Sequence, residues 1–238
     1  MLMPKLWGGR QPGMDPAMLH APDTAFPLQR LSDAPAEPPR LRALAHLRRF
    51  RREQDIYSQE ERSDTWYRDV SGSARKYHMR ADGRRQLVDV FLPGDLFGFT
   101  ARLQRRFAVQ AVADGTLIAC YPRQRVEALA AEDTETALEI KKQIFEALER
   151  LQQQLLVIGT MTAQEKLREF LFYFHQRLSA GRDDSLALPI SRYDIADMLG
   201  ISAETVCRAF TDLQERGVIS LQGPRRIRIT RKRGDQSG

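Results

Sequence analysis

The stretch DIADMLGISAETVCRAFTDLQERGVI, from Asp194 to Ile219, leaves the chain little choice of local structure. Ile195, Ala196 and Leu199 recur at helical spacing and predict a short helix with one apolar stripe. Gly200 ends that helix, because glycine accepts the left-handed backbone found just past a helix C-terminus. Ser202 then offers a hydroxyl to an orphan amide of the next first turn. Beyond it Val206, Ala209, Phe210 and Leu213 share one face, while Glu204, Arg208 and Thr211 share the other, with Thr205 and Cys207 on its flanks. Two short helices joined by a glycine turn form a helix-turn-helix, whose second helix enters the DNA major groove.

The outer face of that second helix carries suitable chemistry. An arginine grips guanine O6 and N7 with two bonds, and a carboxylate accepts from cytosine N4. The plainer reading is a surface helix with a Glu204–Arg208 pair one turn apart, worth about 0.2–0.5 kcal/mol. The residues beyond the helix favour DNA. GVISLQGPRRIRIT alternates around Gln222-Gly223-Pro224 and predicts a two-stranded wing. From Arg216 to Arg233 the cations Arg216, Arg225, Arg226, Arg228, Arg231, Lys232 and Arg233 are interrupted by no acid. A basic run directly behind a reading helix suits phosphate contact.

The segment LPISRYDIADMLGISAETVCRAFTDLQERGVI resembles the C-terminal winged-helix domain of the Crp/Fnr family of bacterial transcription regulators. The family's reading motif Glu-x-x-Ser-Arg stands here as Glu204-Thr205-Val206-Cys207-Arg208. The resemblance implies that Glu204 and Arg208 contact a C·G pair in each half-site, with Cys207 as a third base contact. It implies backbone contacts from Ser202, Thr205, Thr211, Arg225, Arg226 and Arg228. Members responsive to cyclic AMP carry a further arginine before the glutamate; Ala203 stands there, which implies a TTGAT-like half-site. Cys207 replaces the usual serine, and a thiol is the weaker donor. If Cys207 sits in the groove, its oxidation adds bulk and negative charge beside phosphates, so it is also a candidate redox switch. An inert flank thiol is the alternative.

Upstream, short apolar runs (RKYHM, QLVDVFL, LFGF, FAVQAV, TLIACY) lie between the turn signals SGS, ADG, PGD and a second ADG. This pattern predicts an antiparallel roll or barrel. It is similar to the family's cyclic-nucleotide-binding roll, on Gly72, Asp82-Gly83-Arg84 and Pro93-Gly94-Asp95-Leu96-Phe97-Gly98. The family's nucleotide pocket has a glutamate after the last glycine and an Arg-Ser pair beyond. Here Gly98 is followed by Phe99-Thr100, and the arginines read Arg105-Arg106-Phe107-Ala108. Cys120 matches the one internal cluster ligand of Fnr-type sensors, but residues 1–119 contain no cysteine, and a cluster needs four thiolates. His20, His46, His78 and His175 show no paired spacing. The expectation is a FixK-like member with no cofactor and no metal. A regulator sensing haem or a cyclic nucleotide in the roll is the alternative.

Ile144, Leu148, Leu151, Leu155 and Ile158 repeat at steps of four and three, as in a coiled-coil seam. The family dimerises on this helix, and a palindromic operator requires a two-fold dimer. The next helix, Thr162 to Leu178, would bury Leu167, Phe170, Leu171 and Phe174 after a hinge near Gly159. SAGRDD, 179–184, would be a loop. Residues 1–40 hold eight of the twelve prolines and predict a disordered arm. Leu41, Leu44 and Leu47 suggest a short basic amphipathic helix over 40–52.

The expected architecture is therefore α+β. It comprises an arm (1–40), a β-roll sensor-like domain (41–126), a dimerisation helix (127–159) and a winged helix-turn-helix domain (160–234). The net charge of +6 agrees with an anionic partner. Two cysteines fit reduced thiols, and no apolar run reaches membrane-span length, so a cytoplasmic protein is expected. No P-loop, GxSxG or HExxH occurs, so an enzyme is not expected. The expected function is an activator of transcription that binds double-stranded DNA as a homodimer, with RNA polymerase as a further partner.

Overall fold

The computed structural model describes residues 37–179 and 184–230. A single helical turn, α1 (Pro39–Arg42), leads into eight strands. These are β1 (His46–Phe50), β2 (Asp55–Tyr57), β3 (Thr65–Ser71), β4 (Ala74–Met79), β5 (Arg85–Phe91), β6 (Leu96–Phe97), β7 (Ala108–Ala111) and β8 (Thr116–Pro122). They form two antiparallel four-stranded sheets, ordered β1-β8-β3-β6 and β2-β7-β4-β5. Phe50, Ile56, Tyr67, Phe91, Phe97, Val109 and Ile118 point between the sheets and make the core of the roll. The aromatic members stack, Phe91 on Phe97 at 4.3 Å between centroids.

The amphipathic helix expected over 40–52 is only the one turn of α1. From His46 the chain pairs with β8, His46 opposite Cys120 and Phe50 opposite Thr116. A five-residue ladder on a central strand outweighs a weak helical stripe, so Leu41 is buried while Leu47 is exposed. The arm expected at 1–40 lies outside the described residues up to 36. Its last part is structured: the Tyr121 hydroxyl donates to the Glu37 carboxylate, which also sits 3.5 Å from the buried Arg68.

After the roll come α2 (Arg123–Glu132), α3 (Thr134–Thr160) and α4 (Ala163–Ser179). The single helix expected from residue 127 is thus broken at Asp133. Its backbone is extended and its carboxylate accepts from the Thr136 amide and hydroxyl, capping α3. The hinge also differs. α3 runs through Gly159, and the chain turns at Met161–Thr162, where Thr162 and Glu165 bond each other's amides in a capping box. On α4, Leu167, Phe170, Leu171 and Phe174 are buried, as their spacing predicts.

The C-terminal part contains β9 (Ser185–Ala187), α5 (Arg192–Leu199), α6 (Ala203–Glu215), β10 (Ile219–Leu221) and β11 (Arg226–Ile229). The wing has three strands, not two: β9 pairs with β11, Leu186 opposite Ile227. Three residues show no legible alternation, but Leu186 is buried and fixes the strand. Residues 180–183 of the expected loop, and Arg231, Lys232 and Arg233 of the basic run, lie outside the described residues.

Roll and winged helix share one continuous apolar core. Leu87, Val90 and Val112 of the roll join Leu167 and Phe174 of α4, Leu199 of α5 and Phe210 of α6. Among the described residues no helix is long and apolar enough to cross a membrane.

Candidate DNA interface

The helix-turn-helix is built by local capping. The Ser191 hydroxyl accepts from the Asp194 amide at 3.1 Å, and the Asp194 carboxylate accepts from the Ser191 amide at 3.1 Å. Gly200 closes α5 with φ of 64°, and Ser202 accepts from the Thr205 amide at 3.0 Å to open α6. Val206, Ala209, Phe210 and Leu213 are buried. Rotating the helix that way turns Glu204, Arg208 and Thr211 outward. Glu204 and Arg208 form an ion pair one turn apart, with the arginine side chain 77% exposed. In the absence of DNA the pair holds both groups in one orientation without burying either.

The remaining sequence-predicted residues sort by position. Cys207 and Thr205 are half-buried on the flanks, and Ser202 and Thr211 are exposed. The Ser202 hydroxyl is engaged as the cap, and the Thr211 hydroxyl donates to the Cys207 carbonyl at 3.2 Å. Arg226 and Arg228 project from one face of β11, while Ile227 and Ile229 are buried on the other. Arg225 instead turns toward Ser191 and Tyr193.

Sequence reasoning missed Arg192. Its guanidinium lies 3.8 Å over the Phe210 ring, within electrostatic reach of the Cys207 thiol. Burial pushes this arginine's pKa down, and the thiol partly offsets that. The only sequence signal was its place at the first position of α5.

Sequence reasoning also missed the second role of Asp194. Besides capping α5 it accepts from Arg75 at 3.2 Å through both oxygens, and from Arg85 at 2.6 Å. Asp197, one turn on, accepts the Leu87 amide at 2.8 Å, and Gln86 donates to its carbonyl. Strands β4 and β5 of the roll are therefore clamped to the first helix of the reading unit. A second clamp ties Arg177 of α4 to Asp95 of the roll at 2.6 Å.

Inside the roll, Arg105 is buried and committed. It donates to the Gly98 carbonyl at 3.0 Å and to the Thr65 carbonyl at 2.6 Å, and it stacks over Tyr57 at 3.9 Å. Gly98 has φ of 82°, and a Cβ there would meet the Tyr67 ring at 2.8 Å. Cys120 is buried in the roll core, and burial pushes its thiol pKa up. His46, His78 and His175 sit on separate elements, β1, β4 and α4; His20 is outside the described residues.

On α3, Ile144, Leu148, Leu151, Leu155 and Ile158 are all exposed in the single chain, Leu155 at 72%. Leu138, Phe145 and Leu156 are exposed beside them.

A capped reading helix, a basic wing and a β-roll clamped to α4 and α5 define a two-domain winged-helix DNA-binding regulator. The Crp-like helix-turn-helix domain matches residues 165–234, and the cyclic nucleotide-binding domain matches residues 47–133. The chain belongs to the Crp/Fnr family of transcription regulators and is FixK-like. It is 36% identical over 213 residues to the nitrogen fixation regulation protein FixK of Rhizobium meliloti, covering 90% of this chain and 94% of that one. It is 30% identical to the transcriptional activatory protein AadR of Rhodopseudomonas palustris over 78% of both chains. The solved structure of FixK2 from Bradyrhizobium japonicum matches with a TM-score of 0.72 at 33% identity, covering 79% of this chain and 93% of that one.

Proposed function

We propose that this regulator is a homodimeric activator that reads TTGAT-like palindromes and loses DNA affinity when Cys207 is oxidised. The observation that carries the reading is the pair Glu204 and Arg208, turned outward by a helix whose opposite face is buried. Arginine reads guanine and glutamate accepts from cytosine, so the pair fits one C·G step in each half-site. Ala203 offers only a methyl group at the next position, which fits a half-site lacking a second guanine contact. Ser202, Thr205 and Thr211 on the same helix and its N-cap, with Arg225, Arg226 and Arg228 of the wing, suit phosphate contact. The exposed stripe from Ile144 to Ile158 supports the dimer, since five large apolar side chains in heptad register need a partner helix. Activation agrees with the similarity to AadR, a transcriptional activatory protein, and RNA polymerase is the further partner such a role requires.

The Arg105 stack supports a roll that serves as scaffold, with control exerted on the helix itself. Its guanidinium is held by two carbonyls and a tyrosine face. Arg192 supplies a cation near Cys207, which favours an oxidised, anionic sulfur there once the thiol reacts.

The test is a gel shift on a TTGAT-type palindrome and a scrambled duplex, with and without peroxide, using wild type, Arg208→Ala and Cys207→Ser. Wild type binds the palindrome selectively and weakens after peroxide; Cys207→Ser binds and resists. Equal binding of both duplexes by wild type would refute the operator, and equal peroxide loss in Cys207→Ser would refute the switch.

A further inference from the structure

We infer that the wedge between α3 and α4 is a binding site for a small, flat, uncharged aromatic molecule carrying one oxygen acceptor. The inference goes beyond DNA reading and does not rest on it.

The chain turns at Met161–Thr162 between the two helices, and a cavity of about 230 Å³ lies in the angle they make. Its apolar wall is Val157 of α3, Phe170, Tyr173 and Phe174 of α4, and Met198 and Leu199 of α5. Protein interiors are close-packed. Five of these six side chains belong to the core shared by roll and winged helix, yet they border space that no side chain of the chain fills. An engineered apolar cavity of about 150 Å³ takes up benzene. The larger volume here has room for a second fused ring. The wall is also ring-shaped chemistry: Phe170 and Phe174 lie 4.5 Å apart between centroids, and Tyr173 stands edge-on to Phe174 at 5.4 Å. A planar aromatic gains offset or edge contacts on such faces, where an aliphatic chain gains area alone.

The polar groups of the wall set the rest of the ligand. Arg150 of α3 has a side chain only 14% exposed, with Nη1 3.6 Å from Asp95. Asp95 already takes Arg177 at 2.6 Å. The Arg150 Nε is buried and meets no acceptor among the described residues. A buried donor of that kind costs free energy that an incoming acceptor recovers. The other charged groups on the wall are two carboxylates, Asp89 of β5 and Glu169 of α4. They disfavour an anion, and Arg150 disfavours a cation. The acceptor therefore belongs to a neutral group, a phenolic hydroxyl or an aromatic carbonyl. A largely apolar hollow between helices with one or two placed polar groups is the usual form of a small-molecule site.

A second copy of the chain is not the occupant. Arg150, Gln153 and Val157 line the cavity from the side of α3 opposite Leu148, Leu151 and Leu155, so a partner helix on that stripe leaves the cavity open. The place is also separate from the interior of the roll. Its walls join β5 of the roll to α5 of the reading unit, and an occupant touches both at once.

The experiment titrates the full-length protein, without DNA, with 2-naphthol, naphthalene and 2-naphthoate, and follows binding by ligand fluorescence. Wild type should bind 2-naphthol saturably and roughly tenfold more tightly than naphthalene, the size of one hydrogen bond to a charged donor. It should bind 2-naphthoate more weakly than 2-naphthol. Val157→Phe, which fills the cavity from the α3 wall, should abolish saturable 2-naphthol binding. Should that variant melt far below wild type, Met198→Phe fills the space from the α5 wall and should act alike. Arg150→Met should bring 2-naphthol down to the affinity of naphthalene. The inference is overturned if wild type shows no saturable 2-naphthol binding, if the folded cavity-filling variant binds as wild type does, or if Arg150→Met keeps the preference for 2-naphthol. Tighter binding of 2-naphthoate than of 2-naphthol would overturn the uncharged class. None of these outcomes depends on the operator, which is tested with DNA alone.

Discussion

Replacing Asp194 by Asn removes one charge from a carboxylate that is 1% exposed and serves two domains at once. The amide oxygen can still accept the Ser191 amide, so the cap on α5, worth about 1 kcal/mol, is largely kept. What is lost is the counter-charge to Arg75 and Arg85. Removing one member of a buried ion pair typically costs about 3–5 kcal/mol, because the other is stranded. Arg75, at 11% exposure, belongs to that regime, but Glu53 lies 3.6 Å from it and remains as a partner. Arg85, 31% exposed, can turn to water. The expected cost is therefore lower, about 2–3 kcal/mol, and it falls on the contact between roll and α5. Hydrogen exchange reads this directly. At about 1.4 kcal/mol per tenfold, amides of α5 and of β5 should exchange roughly 30- to 150-fold faster. Amides of α3 should not change. Arg85→Gln should cost less, about 0.5–1 kcal/mol, as for a largely hydrated pair. Exchange in Asp194→Asn within threefold of wild type would refute the reasoning, since the clamp would then carry no net free energy.

Asp69 gives a pH prediction. Its two carboxylate oxygens are buried and meet no hydrogen-bond donor among the described residues, and burial, with Asp95 adding to it, holds its pKa well above the usual range. A raised native pKa favours the protonated folded state, so the stability it contributes is full below about pH 4 and is lost as pH rises through the native value. Asp69→Asn should flatten the stability profile above pH 4 and melt higher than wild type at neutral pH; parallel profiles would refute this. Leu148→Glu with Leu151→Glu should leave the monomer fold intact and shift sedimentation to the single chain, with loss of palindrome binding. Arg208→Ala should cost about 1–3 kcal/mol at one base pair, while its melting temperature stays near wild type because the side chain is exposed. Gly98→Ala should destabilise by at least about 1–2 kcal/mol, from the left-handed backbone alone, before the Tyr67 ring has to move.

The parts legible in the sequence share a physical property: they are set by neighbours a few residues away. Gly200 and Ser202 mark the turn because a left-handed residue and a hydroxyl cap act locally. The stripes on α4 and α6 follow from helical periodicity alone. The capping box at Ser191–Asp194 and the caps at Asp133 and Thr162 were equally local. They went unread because the apolar pattern on either side concealed the first break, and because Gly159 offered a more obvious hinge than Met161. The over-extended helix at 40–52 had the opposite cause. Its leucines fit a weak helical stripe, and only the ladder with β8 made the strand the better state.

The sequence by itself determined the reading unit, its outward Glu204 and Arg208, the roll of short strands and the heptad stripe, because capping, periodicity and turn chemistry act within one or two turns of chain. Only the tertiary structure decided that Asp194 clamps Arg75 and Arg85 across more than a hundred residues of sequence, and that Arg105 is held inside the roll by the Gly98 and Thr65 carbonyls. Such pairings depend on which surfaces the shared apolar core brings together, and no local pattern encodes them. The stretch from Asp194 to Ile219 is thus specified locally as a DNA reader, and it is tied to the rest of the molecule by contacts that folding alone creates.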